Sequence, residues 1–214
     1  MRGARWLAAA AVLSAGCASY SARVSPRPTP PGETRYGFNL DVQVLQPAGA
    51  NRTVPNFEFT VRHGLTERVD IGGKVGVFGG EFNTKMTLVT GRLSVAILPS
   101  TGIGFAPFGT DEDIVPYASF GLPLLVGLQI GSAELVAAPR IHLQASPAET
   151  VTGGRPDVGT LLLGVGGTLG LRFTVDTWVV FPELGVLAPY ALDVESWEGV
   201  VWQGGVGIQF GSPP

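Results

Sequence analysis

The sequence predicts an all-β fold: an antiparallel up-and-down β-barrel that crosses a membrane with about ten strands, eight being the alternative count. Three observations predict it. The 214 residues include 31 glycines and 17 prolines with only 14% charged residues, a balance that suits short strands joined by turns better than a helical bundle. Apolar and polar residues alternate with period two in segment after segment, and the connections between those segments alternate in length. Although 45% of the chain is hydrophobic, no uninterrupted apolar run of about 18 residues follows the amino terminus, as a membrane helix would need. A closed barrel is the other structure that satisfies every backbone polar group in hydrocarbon. The net charge of -3 and the scattered lysines and arginines give no basic footprint, so nucleic acid is not an expected partner.

Residues 1–17, MRGARWLAAAAVLSAGC, place Arg2 and Arg5 before an apolar run from Trp6 and small residues before Cys17. That is the layout of a secretory signal, too short to span and stay. Ser14, Ala15 and Gly16 before the only cysteine resemble the lipobox of bacterial lipoproteins, which implies lipidation of Cys17 as the mature amino terminus. The sequence departs from that pattern at Ser14, where a large aliphatic residue is usual, with Leu13 one place further out. An ordinary secretory peptide cut near Ala18 is the alternative; in both cases the mature chain leaves the cytoplasm without a disulfide. Residues 18–34 are polar and proline-rich and read as a flexible or extended periplasmic tether.

The barrel is expected over 35–211, followed by a short tail, 212–214. In the first strand, 35–46, Phe38, Leu40, Val42 and Val44 oppose Asn39, Asp41 and Gln43. The second, 55–63, sets Phe57, Phe59 and Val61 against Asn56, Glu58, Thr60 and Arg62, and the third, 67–78, sets Val69, Ile71, Val75 and Val77 against Arg68, Asp70 and Lys74. The apolar phase then switches, from Met86 and Leu88 to Leu93, Val95 and Ile97, with Thr90-Gly91 at the switch. This predicts two strands, 82–90 and 92–105, joined by a tight hairpin, with a bulge as the competing account. The remaining strands are expected at 115–130, 132–145, 158–174, 177–189 and 197–211.

Long connections nearly alternate with short ones such as Thr90-Gly91, Gly131-Ser132 and Val175-Asp176. Outer-membrane barrels sort their loops this way, and an even strand count puts both barrel termini on the periplasmic side. Tyr36, Phe173, Trp178 and Phe210 fall near the periplasmic strand ends, and Phe78, Phe82, Phe105, Tyr117, Tyr190 and Trp197 near the outer ends, as two interfacial girdles would. In the last strand Gln203, Gly205, Ile208 and Phe210 fit a polar-x-Gly-x-x-apolar-x-aromatic pattern. The chain thus resembles small outer-membrane β-barrel proteins of Gram-negative bacteria, without pointing to a particular family. The resemblance implies that this last strand is presented to the barrel assembly machinery and that outer-membrane lipid surrounds the wall.

If the apolar face meets lipid, the lumen holds Asp41, Glu58, Asp70, Glu134 and Glu183 against Arg62, Arg68, Lys74, Lys85, Arg92, Arg140 and Arg172. A lysine or arginine on the lipid face at mid-bilayer would cost about 2–4 kcal/mol, so these must point inward. So narrow a barrel with so balanced a set predicts a paired polar network rather than an open porin, with a slender porin-like path for small anions as the alternative. His63 falls in a short turn and reads as a solvated residue. His142 shares its inward face with Arg140, Gln144 and Glu134, and could act as a base toward a serine such as Ser119. No nucleophile motif flanks it. Asp111-Glu112-Asp113 reads as a solvated acidic loop rather than a cation site, and no cofactor, metal or catalytic residue is assigned.

The expected function is structural, surface-interacting, with an unidentified surface or periplasmic partner, or limited small-solute passage. Two alternatives remain: a lipid-anchored soluble periplasmic barrel with an apolar cavity, and a lipid-modifying enzyme using His142.

Overall fold

The computed structural model describes residues 20–46, 52–108, 113–146, 161–192, 196–197 and 199–211. Cys17 and the rest of the signal, Asp111 and Glu112, and the 212–214 tail lie outside them. Among the described residues the regular structure is all strand: β1 (Thr34–Gln46), β2 (Arg52–Gly64), β3 (Val69–Gly76), β4 (Gly79–Val89), β5 (Leu93–Ile97) and β6 (Ser100–Phe108), then β7 (Asp113–Ile130), β8 (Ala133–Ala145), β9 (Leu161–Val175), β10 (Trp178–Ala191), β11 (Ser196–Trp197) and β12 (Val200–Gly211). Neighbours pair antiparallel in sequence order, β5 and β6 share the position between β4 and β7, and β11 adds two residues to β10. Strand β1 pairs with β2 on one side and with β12 on the other, from Arg35↔Gly211 to Gln46↔Val200. The sheet is therefore a closed barrel of ten staves.

Alternation sorts the two faces. Leu40, Phe57, Val75, Ile103, Leu184 and Trp202 are exposed on the outer surface, whereas Asn39, Asp41, Gln43, Glu58, Asp70, Lys85, Glu134 and Glu183 are buried inside. Soluble monomers rarely expose so continuous an apolar surface. A soluble barrel with an apolar cavity needs the opposite arrangement. At the end that carries Thr34 and Gly211, Trp178 and Phe210 lie 5.4 Å apart between ring centroids, Tyr36 and Phe210 6.1 Å, and Phe38 and Phe210 5.9 Å. This outward aromatic cluster straddles the β1–β12 seam.

The phase switch after Leu88 involves both devices. A turn at Thr90–Arg92 joins β4 to β5, with Gly91 at φ +151°, and the β4–β5 register shifts between Thr87 and Val89. The fifth stave is not continuous, because Pro99 has no N–H for the ladder. Leu98 N–H donates to Pro123 O at 3.0 Å and Thr84 N–H to Pro99 O at 3.0 Å across the gap. Strand β4 starts at Gly79 rather than residue 82, leaving Val77 and Phe78 as the turn.

The closure is directly testable. In a Cys17→Ser background, Leu40→Cys with Val206→Cys places two thiols on directly opposed residues of β1 and β12. We expect oxidation to link them and change gel migration of the unfolded chain; no cross-link would show that the seam has another register.

Candidate functional site

The interior is filled by the chain itself. Pro31 bridges Gly64 at the end where β1 begins, and Gly32 N–H donates to Gly64 O at 2.9 Å. From there, tracing toward the amino terminus, Thr29 N–H donates to Asp70 Oδ2 at 2.9 Å and Ser25 Oγ to Glu134 Oε2 at 2.7 Å. Further along the axis, Arg23 and Ala22 N–H donate to Glu183 at 3.0 and 3.1 Å, and Tyr20 N–H to Gln203 Oε1 at 2.9 Å. Residues 18–34 were expected to form a flexible or extended periplasmic tether; of these, residues 20–29 lie in the lumen, with Tyr20, Ser21, Ala22, Arg23 and Thr29 buried.

This sequence suits that place. A buried backbone donor without a partner is costly, and prolines at 26, 28, 30 and 31 remove four of them while favouring an extended chain. Wall side chains serve the carbonyls. Lys85 Nζ donates to Ser25 O at 2.9 Å and also to Arg27 O, Thr87 Oγ1 to Pro26 O at 2.9 Å, and Gln209 Nε2 to Arg23 O at 2.6 Å. Arg140 donates to Tyr20 O.

Charges pair across the same boundary. Arg23 makes a two-point ion pair with Asp41, both side chains almost wholly buried. Arg27 Nε meets Glu134 Oε1 at 3.3 Å, and Lys85 meets Asp70 Oδ2 at 2.9 Å while Arg62 pairs with the other oxygen of Asp70. Lys74 lies between Glu58 and Glu81 at 3.9 and 3.5 Å, and Arg172 reaches Glu134 at 4.0 Å. Room for Arg23 comes from β12: a Cβ on Gly205 would fall 2.5 Å from Arg23 Nη2, and one on Gly207 2.6 Å from its Cδ.

Of the expected lumen set, Asp41, Glu58, Arg62, Asp70, Lys74, Lys85, Glu134, Arg140, His142, Arg172 and Glu183 face the interior. Arg68 and Arg92 do not: both are exposed in turns at the end of the barrel, past the point where alternation holds. Arg23 and Arg27, which strand alternation could not flag, stand in the interior instead. Tyr117 is buried, not part of an outward girdle. His63 lies on β2 and is hydrogen-bonded through Nδ1 to Thr34 Oγ1 at 2.9 Å, not in a turn. Nor is the interior uniformly polar: Ala96, Leu98, Leu125 and Ala138 form an apolar cluster that receives Ala22 and Val24.

His142 packs edge-on against the Tyr20 ring, centroids 5.1 Å apart. Among the described residues its Nε2 has no hydrogen-bond partner. In the last strand Gln203 and Gly205 seat the segment, while Ile208 is exposed outside and Phe210 belongs to the aromatic cluster.

Removing one partner of a buried pair leaves an uncompensated charge, at about 3–5 kcal/mol. Arg23→Met should therefore lower stability in denaturant titrations of the refolded protein by that order, and adding Asp41→Asn should recover part of the loss. A double variant whose loss equals the sum of the losses of Arg23→Met and Asp41→Asn alone would mean that the two residues are not coupled.

No family model matches the chain, and no curated protein matches it. Among solved structures, the outer membrane protease OmpT from Escherichia coli aligns with a TM-score of 0.51 at 8% identity, covering 85% of this chain and 97% of that one. The translocator domain of the autotransporter NalP from Neisseria meningitidis gives 0.46 at 15% identity over 98% and 94%. Neisserial surface protein A gives 0.46 at 7% over 83% and 96%. The likeness to OmpT shows the fold alone.

Proposed function

We propose that this chain is an outer-membrane β-barrel, exported by its amino-terminal signal, whose lumen is closed by its own residues 20–33 and whose role is structural and surface-directed rather than catalytic. The single observation that carries this reading is the inverted barrel: a closed ring of strands, apolar outside, with a charged interior neutralised by Arg23 and Arg27. Such a wall is stable where lipid covers it, because no strand edge is left unpaired in hydrocarbon. The aromatic cluster around Phe210 fits an interfacial girdle, and the last-strand pattern fits presentation to the assembly machinery. Both barrel termini then face the periplasm, and the opposite loops face the surface partner.

Beside the segment, the interior holds cavities of about 50 and 30 Å³, with room for a few waters, and a wider one of about 320 Å³ opens at the mouth that carries Gly211. Solute passage is therefore at most a property of a barrel without its segment.

Two measurements test the reading. Cells expressing the Cys17→Ser variant behind a cleavable signal peptide should retain it in the outer membrane, with gel migration that shifts on boiling; recovery as a soluble periplasmic protein would overturn the spanning barrel. In planar bilayers the native chain should not conduct steadily, whereas a variant lacking residues 20–31 should. Steady conductance by the native chain would contradict a closed lumen.

A further inference from the structure

The segment has a direction as well as a position. Its carboxyl end is fixed at the mouth where β1 starts and β12 finishes, by Pro31 and Gly32 on Gly64. Its amino end is fixed in the far half of the barrel: Tyr20 is held by Gln203 and Arg140 and packs on His142. Gln203 pairs with Gln43, and the β1–β12 ladder runs only three residues further, to Gln46↔Val200. Tyr20 therefore stands in the half of the barrel away from the carboxyl terminus.

The cavities of about 50 and 30 Å³ beside the segment have room for waters, not for a second strand of chain. The way forward is short. At the β1–β12 seam the wall rises three residues beyond Gln203, about 8 Å along the axis, a distance that three extended residues can cover; on the β6–β7 side it runs on from Gly121 to Phe108↔Asp113.

We propose that the chain is threaded through its own barrel, so that its amino-terminal end, with Cys17, leaves by the mouth opposite the carboxyl terminus. Resting on the outer-membrane reading above, this places the two ends of the mature protein on opposite sides of the membrane. A lipid on Cys17 then inserts in the surface leaflet rather than the periplasmic one. The lumen contacts become the device that holds the displayed end in place: Arg23 on Asp41, the Glu183 carboxylate on two consecutive amides, and Lys85 on two carbonyls.

The test uses the full chain with Cys17 intact, carrying one short epitope after Ala18 in one version and after Pro214 in another. On intact cells, antibody should label the amino-terminal epitope as strongly as on permeabilised cells, and the carboxyl-terminal epitope only after permeabilisation. If both epitopes need permeabilisation while the boiling-dependent gel shift is kept, threading is wrong and the barrel stands. Loss of the shift with release to the soluble periplasm would overturn the outer-membrane reading and the threading with it. Should the insertion disturb assembly, Ala18→Cys with a membrane-impermeant maleimide asks the same question, with Thr177→Cys in the turn at the carboxyl-terminal mouth as the oppositely placed control. Labelling of Thr177→Cys but not Ala18→Cys on intact cells would equally overturn the proposal.

Discussion

Backbone hydrogen bonding between β1 and β12, register pair by register pair from Arg35↔Gly211 to Gln46↔Val200, is what the rest of the molecule depends on. Closure removes the last strand edge, so the outer surface needs no polar partner and can be apolar from Leu40 to Trp202. The same period-two geometry then commits every alternate residue to the interior, charged ones included. An interior lined by Asp41, Asp70, Glu134 and Glu183 cannot stay dry and unpaired. It needs bases and donors that the wall supplies only in part.

Residues 20–33 supply the remainder. They are short on donors because of their prolines, and the donors they keep are spent on carboxylates: Thr29 on Asp70, Ala22 and Arg23 on Glu183. Their carbonyls are met by Lys85, Thr87, Gln209 and Arg140. Glycines on β12 leave the space that the Arg23 side chain fills. Filling the lumen and pairing its charges are thus one structural solution, and the apolar cluster around Leu125 adds a non-polar seat for Ala22 and Val24. Signals in a polar network of this kind reinforce one another, since each satisfied group strengthens its neighbour's partner in a low-dielectric space.

Much of this was legible in the sequence. The alternation of Phe38, Leu40 and Val42 with Asn39, Asp41 and Gln43 gave the inside and the outside of β1 correctly, and the same logic placed Glu134, Arg140 and His142 together on β8. It failed at strand ends, where Arg68 and Arg92 continue the pattern on paper but sit in turns with no face to belong to. It failed for Pro99, whose missing donor divides a stave that alternation reads as continuous. The larger miss is the lumen position of residues 20–29. A proline-rich extended chain has the same composition whether water or a barrel wall surrounds it, because both settings favour few donors and a preset backbone. Two signals did exist: Arg23 and Arg27 inside that stretch, and glycines 205 and 207 on the inward side of the last strand. Counting Arg68 and Arg92 as lumen bases hid the need for the first pair.

The measurement that tests the account most directly is methyl-selective NMR of the refolded protein in a lipid-like environment, read for contacts between the amino-terminal segment and the wall. With the segment inside, the Ala22 and Val24 methyls should show cross-peaks to those of Leu98, Leu125 and Ala138 and share their slow tumbling. Sharp, fast-moving Ala22 and Val24 signals with no wall contacts would contradict a lumen filled by its own chain.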